Sequence, residues 1–212
     1  MKKVFALLLA AILVISMAAC GQSAESPDTT PSTEPTEPVA MGTLYVTVGA
    51  KLELTYDAEG NALSLTGINE VGKTLAAAKQ DQLGKGCVFV LRSVFRYASD
   101  NKLLGDARSM VIRVGADDKL PSQDFLEVIA TDCQYLADEE CTGVQMMIAA
   151  GDKLDENGNL TYNTAKALAV RFLDTIEEDI TGEDVPENGV YTFTCGDVVA
   201  TVDAFTGLVT MK

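Results

Sequence analysis

The sequence predicts an α+β fold: a mainly antiparallel sheet covered on one face by helices, followed by a C-terminal unit of one helix and a β-hairpin. Three observations predict it. Short runs alternate apolar and polar residues, as in Leu44-Tyr45-Val46-Thr47-Val48 and Leu52-Glu53-Leu54-Thr55-Tyr56, which is the period of strands buried on one face. Compact turn signals link several of these runs as hairpins, favouring antiparallel pairing. Stretches with helical periodicity are intermixed with the strands rather than set apart from them.

Taken in order, Asp57-Ala58-Glu59-Gly60-Asn61 is a turn in which Gly60 is free to take positive φ, and Leu63-Ser64-Leu65-Thr66 resumes the alternation. Glu70 to Lys79 is a short helix by its Ala and Leu content. Cys87 to Leu91 alone reads as a strand. Extended to Leu104, however, Val88, Leu91, Phe95 and Ala98 fall at helical spacing, which favours a helix. Met110 to Val114 is a strand. Pro121 opens a helix to about Ala137, with Phe125, Val128, Ile129 and Leu136 on one stripe. Val144 to Ile148 is again a strand, and Asp155-Glu156-Asn157-Gly158-Asn159 a second turn. An amphipathic helix follows from about Thr164 to Ile180, with Ala165, Leu168, Phe172 and Ile176 in register. Strands at Val190–Thr194, Val198–Val202 and Leu208–Thr210 close the chain, separated by turns at Gly196-Asp197 and Asp203–Gly207. These elements divide into an α+β domain over 43–151 and a C-terminal helix and hairpin subdomain over 152–212, free to share one sheet with the first.

The first twenty residues carry a different message. Met1-Lys2-Lys3 precedes an apolar run from Val4 to Ala19, and Met17-Ala18-Ala19 leads directly into Cys20. Two lysines and about 16 apolar residues make a secretory signal, too short for a spanning helix. The small residues before Cys20 resemble the lipobox of bacterial lipoproteins; an ordinary signal peptide with an incidental Cys is the alternative. The resemblance implies cleavage after residue 19 and acylation of Cys20 with palmitate-type chains. That lipid would hold the protein on the extracytoplasmic face of the bacterial cell membrane, since two or three chains anchor firmly where one does not. Residues 20–42 then form the lipidated Cys and a Ser/Thr/Pro tether, holding four of the six prolines (Pro27, Pro31, Pro35, Pro38). Such composition cannot bury apolar area and favours a solvated spacer.

Charge narrows the function classes. The chain has 16 Lys+Arg, 31 Asp+Glu and no His, a formal charge of −15; loss of residues 1–19, with two lysines and no acid, makes it −17. A nucleic-acid partner is not expected, because phosphate binding needs a basic stripe. Without His there is no Ser-His-Asp triad and no His-ligated zinc. Cys87, Cys133, Cys141 and Cys195 remain beside Cys20. In an exported protein they permit two disulfides with three pairings; Cys133 and Cys141 flank a helix end, while Cys87 and Cys195 sit among apolar residues as buried thiols would. Their C-x₇-C spacing does not suit a four-Cys metal site.

Other motifs dissolve on inspection. Aligning Gly158 with position six of a calcium loop puts Lys153 at one end and Thr164 at the other, where carboxylates are required. Ser99-Asp100-Asn101-Lys102 matches S-x-x-K without a K-T-G partner. Asp138-Glu139-Glu140, Glu177-Glu178-Asp179 and Glu183-Asp184 read as solubilising surface. No catalytic residue, metal or cofactor is assigned.

The block from Lys51 to Leu65, continued by Gly67-Ile68-Asn69-Glu70-Val71-Gly72-Lys73, resembles the extracytoplasmic middle domain of RsgI-type membrane-bound anti-sigma factors, over about residues 44–149. The resemblance implies strand–turn–strand leading into a helix at Asn69-Glu70. Where that family has the Asn-Pro bond at which it is clipped, this chain has Gly49-Ala50, so self-cleavage is not implied. Neither a sigma-binding segment nor a transmembrane helix accompanies it. Tyr191-Thr192-Phe193 and Val202 to Val209 are similar to the last strands of PepSY-type domains. An ordinary hairpin accounts for that pattern equally well.

The expected function is a membrane-anchored extracytoplasmic lipoprotein serving as a non-catalytic binding or sensory module for a protein, peptide or cell-envelope component. The alternatives are a regulator restraining an extracytoplasmic peptidase, or a cell-wall glycan hydrolase working with carboxylates alone.

Overall fold

The computed structural model describes residues 37–115, 117–140 and 142–212. The signal segment, Cys20, most of the tether and Cys141 lie outside the described residues. Within them no helix is long and apolar enough to cross a membrane. Two sheets and four α-helices make an α+β fold.

The first sheet holds β1 (Gly42–Val48), β2 (Ala50–Tyr56), β3 (Ala62–Gly67), β4 (Ser109–Val114) and β5 (Gln145–Ala149), in the order β3-β2-β1-β4-β5. β1 turns into β2 at Gly49, whose φ of 69° suits glycine. The register pairs Leu44 with Leu54 and Val46 with Leu52, so the alternation puts one apolar set on one face. Against that face pack α1 (Glu70–Ala78), α2 (Cys87–Asp100) and α3 (Phe125–Glu139). Leu75, Val90, Leu91, Val94, Phe95, Ile129 and Leu136 close the first core. All pairings are antiparallel except β4 with β5, which run parallel because α3 carries the chain across between them.

The C-terminal unit forms its own sheet rather than extending the first. α4 (Tyr162–Leu173) is followed by β6 (Thr181–Gly182), β7 (Val190–Cys195), β8 (Val198–Asp203) and β9 (Val209–Met211), antiparallel in that order. Ala165, Leu168 and Ala169 of α4 pack with Tyr191, Phe193 and Val202. Val111, Met147 and Ala149, from the opposite face of β4 and β5, complete this second core. Helices therefore cover both faces of the first sheet, not one. Along β4 successive residues serve different cores, Met110 and Ile112 the first and Val111 the second, which is why its run is apolar throughout.

One local ambiguity is resolved and two local expectations are corrected. Cys87–Leu91 is helical, as the longer window indicated, and Val90, Leu91, Val94, Phe95 and Ala98 are its buried stripe. α3 begins at Phe125 instead of Pro121, because Ser122 Oγ bonds Asp124 at 2.6 Å and Ser122 O accepts from Phe125 N in a separate turn. α4 ends at Leu173 instead of Ile180. Asp174 takes the left-handed conformation at φ 50°, and Thr175 N donates back to Val170 O at 3.2 Å. Continuing the helix would place Glu177-Glu178-Asp179 at its negative pole. Ile176, expected in the stripe, is 60% exposed.

The free sheet edges are treated unequally. Beside β3, Ala62 N donates to Lys85 O, Gly84 N to Ala62 O and Gln80 Nε2 to Leu65 O. Beside β5, Gln134 bonds Val144 O and Met146 N, and Lys153 Nζ bonds Ile148 O at 2.8 Å. Such cover, by loop backbone beside β3 and by side chains beside β5, prevents edge pairing. β6 is only two residues long. β9 has no comparable cover.

Candidate functional site: a groove beside the free edge of β9

β9 lines a groove of about 640 Å³, inside the range of ligand sites. Five consecutive residues, Gly207 to Met211, form one wall; Leu103 to Ser109 forms the other. Thr47, Gly49 and Val71 from the first sheet and α1, with Phe172 from α4, complete the lining.

Backbone geometry explains what the β9 wall offers. Asp203 N donates to Leu208 O and Lys212 N to Val199 O, with Thr201 opposite Thr210 between them. In an antiparallel ladder bonded pairs alternate with non-bonded ones. Leu208, Thr210 and Lys212 therefore face β8, and the N–H and C=O of Val209 and Met211 point outward. Neither residue makes an outward hydrogen bond among the described residues. Met211 is exposed.

A rigid frame holds the opposite wall. Asn69 Oδ1 accepts from Lys51 N and Gly72 N, both at 2.9 Å, while its Nδ2 donates to Gly49 O at 3.1 Å. One amide thus ties the β1–β2 turn to the start of α1. A Cβ on Gly72 would collide with Lys51 O, and one on Gly67 with the Gly72 backbone. This is the physical content of the Gly67–Gly72 block: three backbone segments meet too closely for side chains. A Cβ on Gly49 would lie 2.9 Å from Leu104 O, so the same turn butts against the 103–109 wall.

The two units are joined beside this groove. Arg113 on β4 is 2% exposed, with its guanidinium carbon 4.0 Å from the Phe205 ring and 5.2 Å from Tyr45. Its Nη1 donates to Phe205 O. Burial lowers its pKa, and the Tyr45, Asp203 and Asp155 side chains offset part of that. Lys51 Nζ reaches Asp203 at 3.3 Å. Burial alone would raise the Asp203 pKa; hydrogen bonds from Thr206 and the Lys51 ammonium together outweigh it and hold the carboxyl below its ordinary range.

The sequence-singled residues fall elsewhere. Cys87, Cys133 and Cys195 are free thiols, so no disulfide joins these three; Cys141 lies outside the described residues. Burial pushes the Cys87 and Cys133 thiols up to about 12. Asp155 Oδ1 accepts from Asn157 N and Asn159 N at 2.8 Å each, spending its acceptors on the turn. Asn101 and Lys102 N–H groups cap α2 through the Tyr97 and Ser99 carbonyls, which accounts for Ser99–Lys102. Arg96 pairs with Glu139 and Glu140. Among the described residues no three His, Cys, Asp or Glu side chains gather as metal ligands.

Sequence reasoning missed Leu104, Arg108, Val209 and Met211. No local pattern marks them, because an edge left free is a property of the assembled sheet. Compared with known proteins, the chain matches no protein-family model and no curated protein.

Proposed function

We propose that this chain is a membrane-anchored extracytoplasmic lipoprotein whose folded unit is a non-catalytic binding module for an extended peptide segment. The observation that carries the reading is the uncovered edge of β9 inside a groove, while the edges of β3 and β5 are covered. An extended segment adding to β9 gains main-chain hydrogen bonds from Val209 and Met211, and Val71, Leu104 and Phe172 offer apolar contacts for its side chains. Asp106 is the one carboxylate lining the groove, whereas carboxylate-only glycan hydrolysis uses two. The tether joins β1 at Gly42, and the groove gathers around Thr47 and Gly49 at the other end. Seven residues at about 3.4 Å each separate the two by roughly 20 Å.

The test places a photoreactive side chain at Met211 of the full-length chain in intact cells. A covalent adduct with an exported polypeptide, retained in the membrane fraction, is expected. Cys20→Ser should move both chain and adduct into the medium. Val209→Pro removes an outward N–H without breaking a bond to β8 and should cut the adduct yield several-fold. No adduct, or an unchanged yield with proline at 209, overturns the peptide reading; membrane retention of Cys20→Ser overturns the anchor.

A further inference from the structure

A second cleft, of about 570 Å³, runs along the edge of β5 between α3 and α4. Asn163, Ala167 and Arg171, one turn apart on α4, line it together with Met146, Met147 and Ile148 of β5 and Ala130 of α3. Lys153 closes one end. We propose that this cleft binds a small carboxylic acid with an apolar tail, the carboxylate held between Lys153 and Arg171.

The polar end is made of donors. Lys153 Nζ spends one hydrogen on Ile148 O at 2.8 Å, which fixes the ammonium and leaves two hydrogens free. Arg171 makes no ion pair among the described residues, and its Nη1 is buried without a partner, a costly state for a guanidinium nitrogen. The β5 ladder adds a third donor. Gln145 N donates to Arg108 O, so by the parallel alternation Met146 and Ile148 turn their backbone groups outward. Gln134 takes Met146 N and Lys153 takes Ile148 O; Ile148 N–H is left over. Asp152 is the only acid lining the cleft. On a chain with 31 acids and 16 bases, two cations without carboxylate partners in one cleft favour an anion. A carboxylate suits a guanidinium and an ammonium jointly. Ala130, Ala167, Met146 and Ile148 give the rest of the ligand an apolar channel, and the small Ala167 leaves its width.

The probe is hexanoate, titrated calorimetrically into the full-length chain in neutral detergent, with hexanol, acetate and inorganic phosphate alongside. Saturable hexanoate binding is expected, with acetate and hexanol each at least tenfold weaker. Lys153→Gln and Arg171→Gln should each weaken hexanoate at least tenfold. Ala167→Phe, which fills the exposed groove while keeping both charges, should abolish binding with the helical circular dichroism signal unchanged. Hexanol binding as well as hexanoate overturns the carboxylate site. Phosphate outcompeting hexanoate overturns its selectivity, acetate equal to hexanoate overturns the apolar tail, and binding that survives Ala167→Phe overturns the location.

Discussion

Asn69 does at one position what a turn, a cap and a tie would otherwise do separately. Its amide accepts from the β2 backbone at Lys51 and the helix backbone at Gly72, and donates to the turn carbonyl of Gly49. Removing it strands groups on three segments. Asn69→Ala should cost about 2–3 kcal/mol, from the lost cap and the unpaired backbone groups, read as a lower urea midpoint at unchanged slope. Asn69→Asp keeps the acceptor and loses the donor, so a smaller loss, about 1 kcal/mol, is expected. Arg113 is the contrasting residue. It is buried between two aromatic rings and satisfied at one end by Phe205 O; its neighbours are recognisable only once two distant segments have come together. Burial likewise raises the Cys87 and Cys133 thiols to about 12, with the Asp57 and Asp132 carboxylates adding to it. The folded state holds them protonated, so the stability they carry is complete below the ordinary thiol value of about 8.5. It is lost progressively as pH rises from there towards the folded value.

Among the elements, α4 shows how a helix end is chosen against its apolar pattern. Phe172 and Ile176 continue the stripe, yet Asp174 turns left-handed and Ile176 goes to solvent. An aspartate in that conformation is strained by about 1 kcal/mol relative to glycine. Asp174→Gly should therefore raise stability by about that amount, seen as a rise of a few degrees in Tm; no change would mean that the aspartate is compensated by contacts of its own. The strands of the first sheet lie within two residues of their expected bounds at each end. β1 and β2 alternate because each buries one face, whereas β4 is apolar throughout because both of its faces are buried. The helix over Cys87–Asp100 was ambiguous in a short window, since five apolar residues in a row fit a buried strand as well as a buried helix. β6 gave no signal, because two residues are too few to carry a period.

For the whole molecule, the decisive feature is that β4 and β5 belong to two cores. Met110 and Ile112 face α2 and α3, and Val111, Met147 and Ala149 face α4. The C-terminal unit is therefore packed onto the first sheet instead of being strung beside it, and the two should lose structure together. Phe193→Ala, which empties a fully buried site in the second core, should cost about 3–5 kcal/mol and speed labelling of Cys87 and Cys133 in the first. Unchanged labelling of those thiols would mean that the two cores open independently. Composition by itself determined the acidic character and the absence of histidine chemistry, hydrophobic periodicity with the turn residues determined the α+β class, and the N-terminal segment raised the expectation of an anchor and tether; all of these rest on local pattern. Tertiary structure alone decided that the C-terminal strands form a second sheet, that helices lie on both faces of the first, and that the edge of β9 is left open over a groove. Those outcomes depend on which strand ends beside which. Hydrophobic periodicity says which side of a strand is buried and is silent about what comes to cover it.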